Sequence, residues 1–290
     1  MSQISRRQFL QGGTLFAGTL ALTACGGGAN EDATSTQVAD EAAAGEGATA
    51  DEAVATTDYT TVEEGKLTCI SNLFFPPFES MNESTGEPEG FDIDVSKSLA
   101  EHMGLEVNWL PSQDFDTLVP TIKNGGKADV AIAGMTITDK RKEEVDMSDP
   151  YVDSNQSIVI KSGTDETAET LDDAEKVIAV QSGTTGQEWA QENLPNATIK
   201  PLSTIIEAMS GVQTGLYNAV VCDLPVSKYQ IKTSYTDLEI IEEIPTGEQY
   251  GIAVSKDNPG LLEAVNSALA AMESDGSMDA IEAEWFGSAL

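Results

Sequence analysis

The chain has 290 residues, and its 49 acidic against 15 basic side chains give a formal net charge of −34 at pH 7. A charge of this sign repels phosphate groups, which argues against nucleic acid as a partner and against an anionic membrane surface unless a lipid supplies the contact. The acidity is typical of a strongly solvated surface, and it does not identify a ligand.

The N-terminus has the features of an export signal. Ser5–Leu10 contains a twin-arginine pattern, and the apolar run Leu15–Ala24 is too short for a stable membrane span. Leu22-Thr23-Ala24-Cys25 resembles a lipobox, in which the cysteine is acylated and becomes the first mature residue. We therefore expect a signal over residues 1–24 and a lipid on Cys25, although an ordinary cysteine beside a cleavage site is the alternative. A lipid there places the protein outside the cytoplasm, anchored to the cell membrane.

Residues 25–64 are predicted to be a disordered acidic tether. The segment is rich in Gly, Ala, Thr, Asp and Glu and contains neither Lys nor Arg. It shows no apolar periodicity, so it cannot repay the entropy of folding. The folded part is expected to begin at Gly65, and it is long enough for one large core or two smaller lobes.

Strand and helix patterns alternate in the first part of this region. They predict a strand at Lys66–Ser71, a helix at Asp92–Met103 ending at Gly104, a half-buried strand at Leu105–Trp109, a short helix with Asp116 as N-cap ending near Gly125, and a strand at Ala128–Ala133. This strand–helix order predicts a mostly parallel sheet and an α/β fold.

A second set of elements begins near Gln156. It comprises strands at Ser157–Lys161, Val177–Gln181, Ala219–Cys222 and Tyr250–Val254, a helix capped by Thr204 and closed by Gly215, a helix beginning at Pro225, and helices at Leu261–Met272 and Met278–Trp285. The two sets are joined near Tyr151–Gln156 and again near Thr246–Gln249.

Cysteine and histidine usage argues against a metal centre. Cys69 and Cys222 lie in different predicted strands, far apart in the sequence, so we expect two separate thiols. No cluster has metal-ligand spacing, and His102 is the only histidine, so neither a zinc site nor Ser/His/Asp catalysis is expected. We predict no cofactor.

Three places suggest recognition of a small charged molecule. The stretch Gly134–Arg141 puts hydroxyls and a guanidinium at the end of an apolar strand, where open α/β sheets bind ligands, and a guanidinium fork suits a carboxylate. Asp223 ends another apolar strand, so it faces either a cation or the helix after Pro225 as an N-cap. Thr184 and Thr185 precede a helix, whose N-terminus favours an anion.

Nine short stretches in order resemble the family 3 solute-binding proteins of ABC importers, which bind polar amino acids. They are Pro77–Glu79, Gly90–Asp94, Phe115–Pro120, Gly134–Arg141, Ser148–Tyr151, Gln181–Thr184, Val220–Asp223, Tyr250–Ala253 and Trp285–Gly287. The resemblance implies a periplasmic-binding-protein-like fold of two α/β lobes joined by two hinge strands, with the ligand between the lobes. It places lobe 1 at 65–152 plus 248–290 and lobe 2 at 153–247.

The resemblance also implies roles for individual residues around the charged groups of an amino acid. Arg141 and Thr136 would bind the α-carboxylate from lobe 1, and the Gly134 backbone would contribute on the amino side. The Thr184 and Thr185 N–H groups would close on the carboxylate from lobe 2, and Asp223 would take the α-ammonium group. The side-chain role of Thr185 is open, because many relatives have a smaller residue there.

The side chain of the ligand is expected to lie between Phe75 and Phe115, which match the aromatic positions of the family. Asn72 stands where relatives often carry aspartate, and Gln181 where some carry lysine. Both charges are missing here, and Cys222 lies beside the pocket. A charged ligand side chain would lack a partner, so we expect a neutral polar ligand, similar to glutamine or cystine.

The resulting hypothesis is a monomeric binding lipoprotein, not an enzyme, that delivers an amino acid to an ABC permease. A ligand-sensing lipoprotein without a transporter is one alternative. A cyclohexadienyl dehydratase-like enzyme is another, for which Glu188 or Glu248 would have to serve as general acid, with no evident partner base.

Overall fold

The structure, a computed structural model, describes residues 58–287. The predicted signal, Cys25 and most of the predicted tether lie outside the described residues. Within 58–287, no helix has both the length and the apolar character needed to cross a membrane.

The chain alternates between short strands and helices. The strands are β1 Lys66–Ile70, β2 Phe74–Phe75, β3 Glu79–Met81, β4 Pro88–Glu89, β5 Glu106–Trp109, β6 Val130–Ala131, β7 Asp146–Met147, β8 Val152–Lys161, β9 Val177–Gln181, β10 Thr198–Leu202, β11 Ala219–Asp223, β12 Leu238–Tyr250 and β13 Ala253–Val254. The helices are α1 Phe91–His102, α2 Leu118–Asn124, α3 Asp139–Glu144, α4 Ala168–Leu171, α5 Thr185–Asn193, α6 Ile205–Gln213, α7 Leu224–Thr233, α8 Pro259–Asp275 and α9 Ser277–Phe286.

Two five-stranded sheets define two lobes. The first lobe is built on the order β5-β1-β6-β13-β7, and the second on β10-β9-β11-β8-β12. Parallel pairing joins β5, β1 and β6 in one sheet and β10, β9 and β11 in the other, as the alternating strand–helix order predicts. The predicted α/β fold with two lobes is confirmed, while the exact lobe boundaries stay a prediction.

The long strands β8 and β12 carry the chain between the lobes. They pair antiparallel along their length, from Val152 opposite Tyr250 to Lys161 opposite Leu238. Helices cover both sheets: α1 packs on α8 and α9 in the first lobe, and α5 and α6 cover the second sheet. One apolar cluster contains buried residues of both lobes, and each lobe adds a smaller cluster of its own. A fully buried aliphatic side chain contributes about 1.5–3 kcal/mol.

Two sequence expectations are wrong in detail. Asp116 does not cap a helix: residues Phe115–Thr117 form a 3-10 turn, Thr117 is the N-cap of α2, and the Asp116 carboxylate instead accepts a hydrogen bond from Ser182 Oγ at 2.9 Å. The predicted strand Tyr250–Val254 is interrupted, because β12 ends at Tyr250 and β13 begins at Ala253. Between them, Gly251 passes so close to Ile137 that a Cβ atom would lie 2.7 Å from its side chain.

The end of the predicted tether is attached to the first lobe. The Val62 amide donates to Asp129 Oδ1 at 2.7 Å, and Asn258 Nδ2 donates to the Thr60 carbonyl at 2.7 Å. Tyr59 packs against the core of the fold. The prediction of disorder is therefore wrong for residues 58–64, because local composition does not show that a distant carboxylate accepts the backbone N–H.

The two cysteines in the described part of the chain are separate thiols, as expected. Cys69 lies in β1 and Cys222 in β11, so they belong to different sheets, and both are buried and free. Burial raises the pKa of both thiols, which keeps them protonated.

A buried carboxyl pair lies behind the end of β6. Asp92, in the first turn of α1, accepts from the Gly134 amide at 2.7 Å and from the Tyr151 hydroxyl at 2.9 and 3.0 Å. Burial raises the pKa of Asp92 to about 7. Burial, and then the charge of Asp92, raises the pKa of Glu79 well above its usual range. The pair therefore holds a proton near neutral pH and fixes Gly134 in place.

Stability is expected to fall as the pH rises through this window. The folded-state pKa of Asp92 is about 7 and the ordinary value is 3.8, so the folded state binds more protons between these pH values. The free energy of unfolding should therefore be higher at pH 5 than at pH 8, with about 1–4 kcal/mol coming from Asp92. Urea unfolding at several pH values measures the slope.

Asp92→Asn should flatten this slope, whereas the control Asp94→Asn, in the same helical turn, should not. Equal slopes for wild type and Asp92→Asn would contradict the assignment.

Candidate ligand-binding site

A small cavity lies between the two lobes, and it collects nearly all the residues that the sequence singled out. Its lining residues are Phe75, Phe115, Gly134, Thr136, Arg141, Gln181, Thr184, Thr185 and Asp223. The tenth predicted residue, Asn72, contacts Gln181 directly. The cavity measures only about 10 Å³, and a cleft of about 210 Å³ on its outer side shares Phe115, Arg141 and Thr185 with it.

Arg141 lies at the boundary of the two lobes, only 9% exposed. One guanidinium nitrogen donates to the Thr136 carbonyl of its own lobe at 2.6 Å, and the other donates to the Gly183 carbonyl of the second lobe at 3.1 Å. The guanidinium carbon lies 5.2 Å from the centre of the Phe115 ring. Burial lowers the pKa of Arg141, and the nearby carboxylates of Asp223, Glu188 and Glu248 oppose that shift.

The local sequence explains the position of this arginine. Thr138 is the N-cap of α3, and its hydroxyl accepts from the Arg141 amide at 3.1 Å. The cap fixes Arg141 in the first turn of a short helix that follows the end of β6. The strand-end pattern Thr-x-x-Arg therefore delivers the guanidinium to the edge of the sheet.

Gly134 and Thr136 form the loop between β6 and α3. Gly134 has φ +52°, and a Cβ atom there would lie 2.9 Å from the Phe75 ring, so only glycine fits beside that aromatic. Thr136 forms an isolated backbone bridge with Tyr250, and its hydroxyl donates to Glu248 Oε2 at 3.1 Å.

Thr184 and Thr185 begin α5 on the opposite side of the cavity. The Thr184 hydroxyl is used by the helix: it accepts from the Gln187 amide at 3.1 Å and donates to the Gln181 carbonyl at 2.9 Å. The Thr185 hydroxyl donates to Glu248 Oε2 at 3.0 Å. Of the two, Thr185 therefore points its hydroxyl at the other groups of the site.

Asp223 ends β11 and is 6% exposed. It is the backbone N-cap of α7, but its carboxylate makes no capping bond. Instead it accepts from Gln156 Nε2 at 2.6 Å and from the Tyr250 hydroxyl. Burial, and then the charge of Glu248, raises the pKa of Asp223 to about 7. Of the two interpretations of Asp223 from sequence, the geometry favours a group of the site.

The side-chain amides of Asn72 and Gln181 bind each other. Gln181 Nε2 donates to Asn72 Oδ1 at 3.1 Å across the lobes, and Asn72 Nδ2 donates to the Gln113 carbonyl at 2.8 Å. Both side chains are buried. Phe75 is buried beside them, whereas its neighbour Phe74 is 43% exposed, so Phe75 is the one that faces inward.

Sequence reasoning missed three residues on the hinge strands. Gln156 on β8 and Tyr250 on β12 orient Asp223, and Glu248 on β12 accepts from Gln156, Thr136 and Thr185. Glu248 entered the sequence analysis only as a candidate acid for an enzyme. The sequence did contain a signal for Gln156: an amide next to the apolar strand Ser157–Lys161 needs a polar partner if it is buried, which would have made it a candidate for the site.

Contacts at the outer rim also join the lobes. Lys140 and Glu188 form an ion pair at 2.6 Å, and both side chains are exposed. The Ser182–Asp116 bond lies nearby. An exposed ion pair of this kind contributes little to stability, so the buried Arg141 contacts dominate.

Comparison with known proteins shows which family this chain resembles in sequence. Residues 67–288 match the bacterial extracellular solute-binding proteins, family 3. The L-cystine-binding protein TcyJ of Escherichia coli K12 is 30% identical over 227 residues, which cover 78% of this chain and 84% of that protein. The ABC transporter glutamine-binding protein GlnH of Bacillus subtilis is 33% identical over 211 residues, covering 72% and 76%.

Solved structures agree with the sequence match. An ancestral arginine-binding protein bound to glutamine is 39% identical, superposes with a TM-score of 0.72, and is covered completely by 78% of this chain. The family match over residues 67–288 spans both sheets and the cavity described above. The chain thus shares its two-lobed α/β fold with these solved structures, and it belongs to the family 3 bacterial extracellular solute-binding proteins.

Proposed function

We propose that this protein captures a small amino acid between its lobes outside the cytoplasm and delivers it to the permease of an ABC importer, anchored to the membrane by a lipid on Cys25. One observation carries the proposal: a buried cation, Arg141, and a buried carboxylate, Asp223, come from different lobes and line the same cavity. An α-amino acid carries both opposite charges. The amino-acid-binding relatives support the same assignment.

The carboxylate of the ligand binds on the Arg141 side of the cavity. The guanidinium provides a planar fork of donors, and the hydroxyls of Thr136 and Thr185 lie on either side of the lobe boundary. The N-terminus of α5, where Thr184 and Thr185 stand, adds a favourable dipole. Charge-assisted hydrogen bonds contribute roughly 1.5–3 kcal/mol each.

The ammonium group binds on the Asp223 side. The carboxylate of Asp223 is held by Gln156 and Tyr250, so it is oriented before the ligand arrives. Without a cation it is costly to ionise in this buried place, which is why its pKa is raised to about 7. The Gly134 carbonyl provides a second acceptor for the ammonium group.

The side chain of the ligand lies between Phe75 and Phe115 and ends near the Asn72–Gln181 pair. The two aromatic faces offer apolar contact at low entropic cost. The paired amides provide neutral donors and acceptors at this end, which supports a neutral polar ligand similar to glutamine or cystine. Tighter binding of arginine or glutamate than of every neutral amino acid, measured by calorimetry, would refute that preference.

Capture requires the lobes to move. A cavity of about 10 Å³ holds at most a water molecule, so an amino acid enters only when the lobes are apart. Full pairing of both ligand charges requires the lobes to be together, because Arg141 and Asp223 belong to different lobes. The ligand therefore shifts the population toward the closed form, which a permease can recognise.

Two other functions are separable by experiment. A ligand-sensing lipoprotein would use the same site without a transporter, and adjacent permease and ATPase genes would favour import instead. A cyclohexadienyl dehydratase would turn over its substrate, and an assay for product release from cyclic dienyl amino acids tests this. The family consists of solute-binding proteins, which favours binding over catalysis.

Thermal unfolding of the full chain against the twenty amino acids and cystine, each at millimolar concentration, should identify the ligand. A ligand at about a thousand times its dissociation constant adds roughly 4 kcal/mol, which raises the unfolding midpoint by several degrees. We expect one or two clear shifts. No shift with protein refolded from denaturant, which removes any co-purified ligand, would refute an amino-acid receptor.

Arg141→Ala and Asp223→Ala should each weaken binding of that amino acid at least tenfold while the protein remains folded. Each variant removes the charged side chain that the proposal pairs with one charged group of the ligand. Isothermal titration calorimetry measures the affinity, and Lys142→Ala, an exposed neighbour of Arg141, is the control. Unchanged affinity in either variant would remove that residue from the site.

Affinity should also fall as the pH drops below 7. The pKa of Asp223 is about 7, and only its ionised form pairs with an ammonium group, so binding releases a proton below that pH. We expect the dissociation constant to rise toward about tenfold per pH unit between pH 6 and pH 5. In Asp223→Asn this dependence should disappear, and a variant that keeps the same pH dependence would show that another group titrates.

A further inference from the structure

We propose that Glu248 is an internal competitor for the carboxylate of the ligand. The inference rests on the proposed function, because it concerns the half of the site assigned there to the α-carboxylate. It assigns a specificity and affinity role to a residue on a hinge strand.

The irregular pairing of β12 brings Glu248 to the site. Ile244 pairs with Gln156 and Glu248 pairs with Ser154, so three residues of β12 stand opposite the single residue Asn155 of β8. Pro245, the first of the three, has no N–H to donate to the ladder. After this bulge, the Glu248 carboxylate reaches the lobe boundary, and the residue stays partly exposed.

One oxygen of Glu248 accepts three hydrogen bonds. Oε2 lies 3.1 Å from the Thr136 hydroxyl of the first lobe, 3.0 Å from the Thr185 hydroxyl of the second lobe and 3.0 Å from Gln156 Nε2. Two of these three donors line the cavity. The carboxylate also acts electrostatically on Arg141.

These are the groups that an incoming carboxylate needs. Each threonine hydroxyl has a single hydrogen, so it donates to one acceptor at a time. The ligand carboxylate and the Glu248 carboxylate therefore cannot both be bound by Thr136 and Thr185. Two carboxylates at one buried place also repel each other. Glu248 must leave for the ligand to bind, and its partly exposed position gives it a route to solvent.

This competition lowers the apparent affinity. The ligand binds only the fraction of molecules in which Glu248 has left, so the observed dissociation constant is the intrinsic one divided by that fraction. A ligand without a carboxylate does not compete with Glu248 for the threonine hydroxyls, so removing Glu248 should not raise its affinity. The opposite role is also defined by the geometry: Gln156 Nε2 bonds both Asp223 and Glu248, so Glu248 as a second acceptor for the ammonium group would strengthen binding instead.

The two roles predict opposite signs, which a titration with L-glutamine distinguishes. In the full chain, Glu248→Ala should lower the dissociation constant for L-glutamine about tenfold, and Glu248→Gln should lower it less, because an amide oxygen still accepts. L-Glutaminamide, in which the α-carboxylate is an amide, should show no gain. Glu242→Ala, an exposed glutamate on the same strand, should leave the affinity for L-glutamine unchanged. An unchanged or weakened affinity in both Glu248 variants would overturn the proposal.

A second arm does not depend on the amino-acid function. Acetate is the simplest carboxylate, and it should occupy the place vacated in Glu248→Ala. At equal ionic strength, acetate in place of chloride should raise the unfolding midpoint of Glu248→Ala and not that of wild type. If wild type binds no L-glutamine, the acetate experiment tests the proposal alone. A rise in the unfolding midpoint confined to Glu248→Ala supports the competing role of Glu248, and equal shifts in both proteins overturn it. Failure of wild type to bind any amino acid refutes only the proposed function.

Discussion

The structure depends on one buried cation at the boundary between two lobes. Arg141 donates to a carbonyl of each lobe. Removing its charge from water costs free energy, and the carbonyls, an aromatic face and nearby carboxylates offset that cost. The helix cap at Thr138 places this guanidinium, and Asp92 holds Gly134 of the same loop. The lobe boundary is thus polar at its centre, which allows it to separate and close again.

Around that cation the site carries more negative than positive charge. Asp223 and Glu248 both lie close to Gln156, and the charge of Glu248 makes ionisation of Asp223 less favourable. Protonation of Asp223 removes this repulsion between the two carboxylates. A bound ammonium group instead offsets it while Asp223 stays ionised. Hydrogen bonds with Glu248 satisfy the hydroxyls of Thr136 and Thr185 in the closed arrangement. These two hydroxyls therefore already have an acceptor, and a ligand has to exchange one set of bonds for another.

Much of the fold and of the candidate site could be predicted from sequence, because their signals are local. A strand that ends in glycine, a threonine cap and an arginine three residues later form a continuous pattern, and the structure brings that loop to the cavity. Glu248 and Gln156 could not be placed, because they lie 92 positions apart in the sequence and their proximity depends on the register of two long strands. Asp116 illustrates the reverse case: a good local cap signal is overridden by a hydroxyl from the other lobe.

The irregular pairing of β8 with β12 has a mechanical consequence. A ladder bends most easily where its hydrogen bonds are interrupted, and here the interruption lies immediately before Glu248. A side chain next to a pivot travels little while the rim, where Lys140 meets Glu188, sweeps through a wide arc. Two separate movements are therefore involved. Rotation of whole lobes opens the cleft, and rotation of the Glu248 side chain frees the hydroxyls of Thr136 and Thr185. Different residues can therefore set the rate at which the ligand binds and the affinity with which it is held.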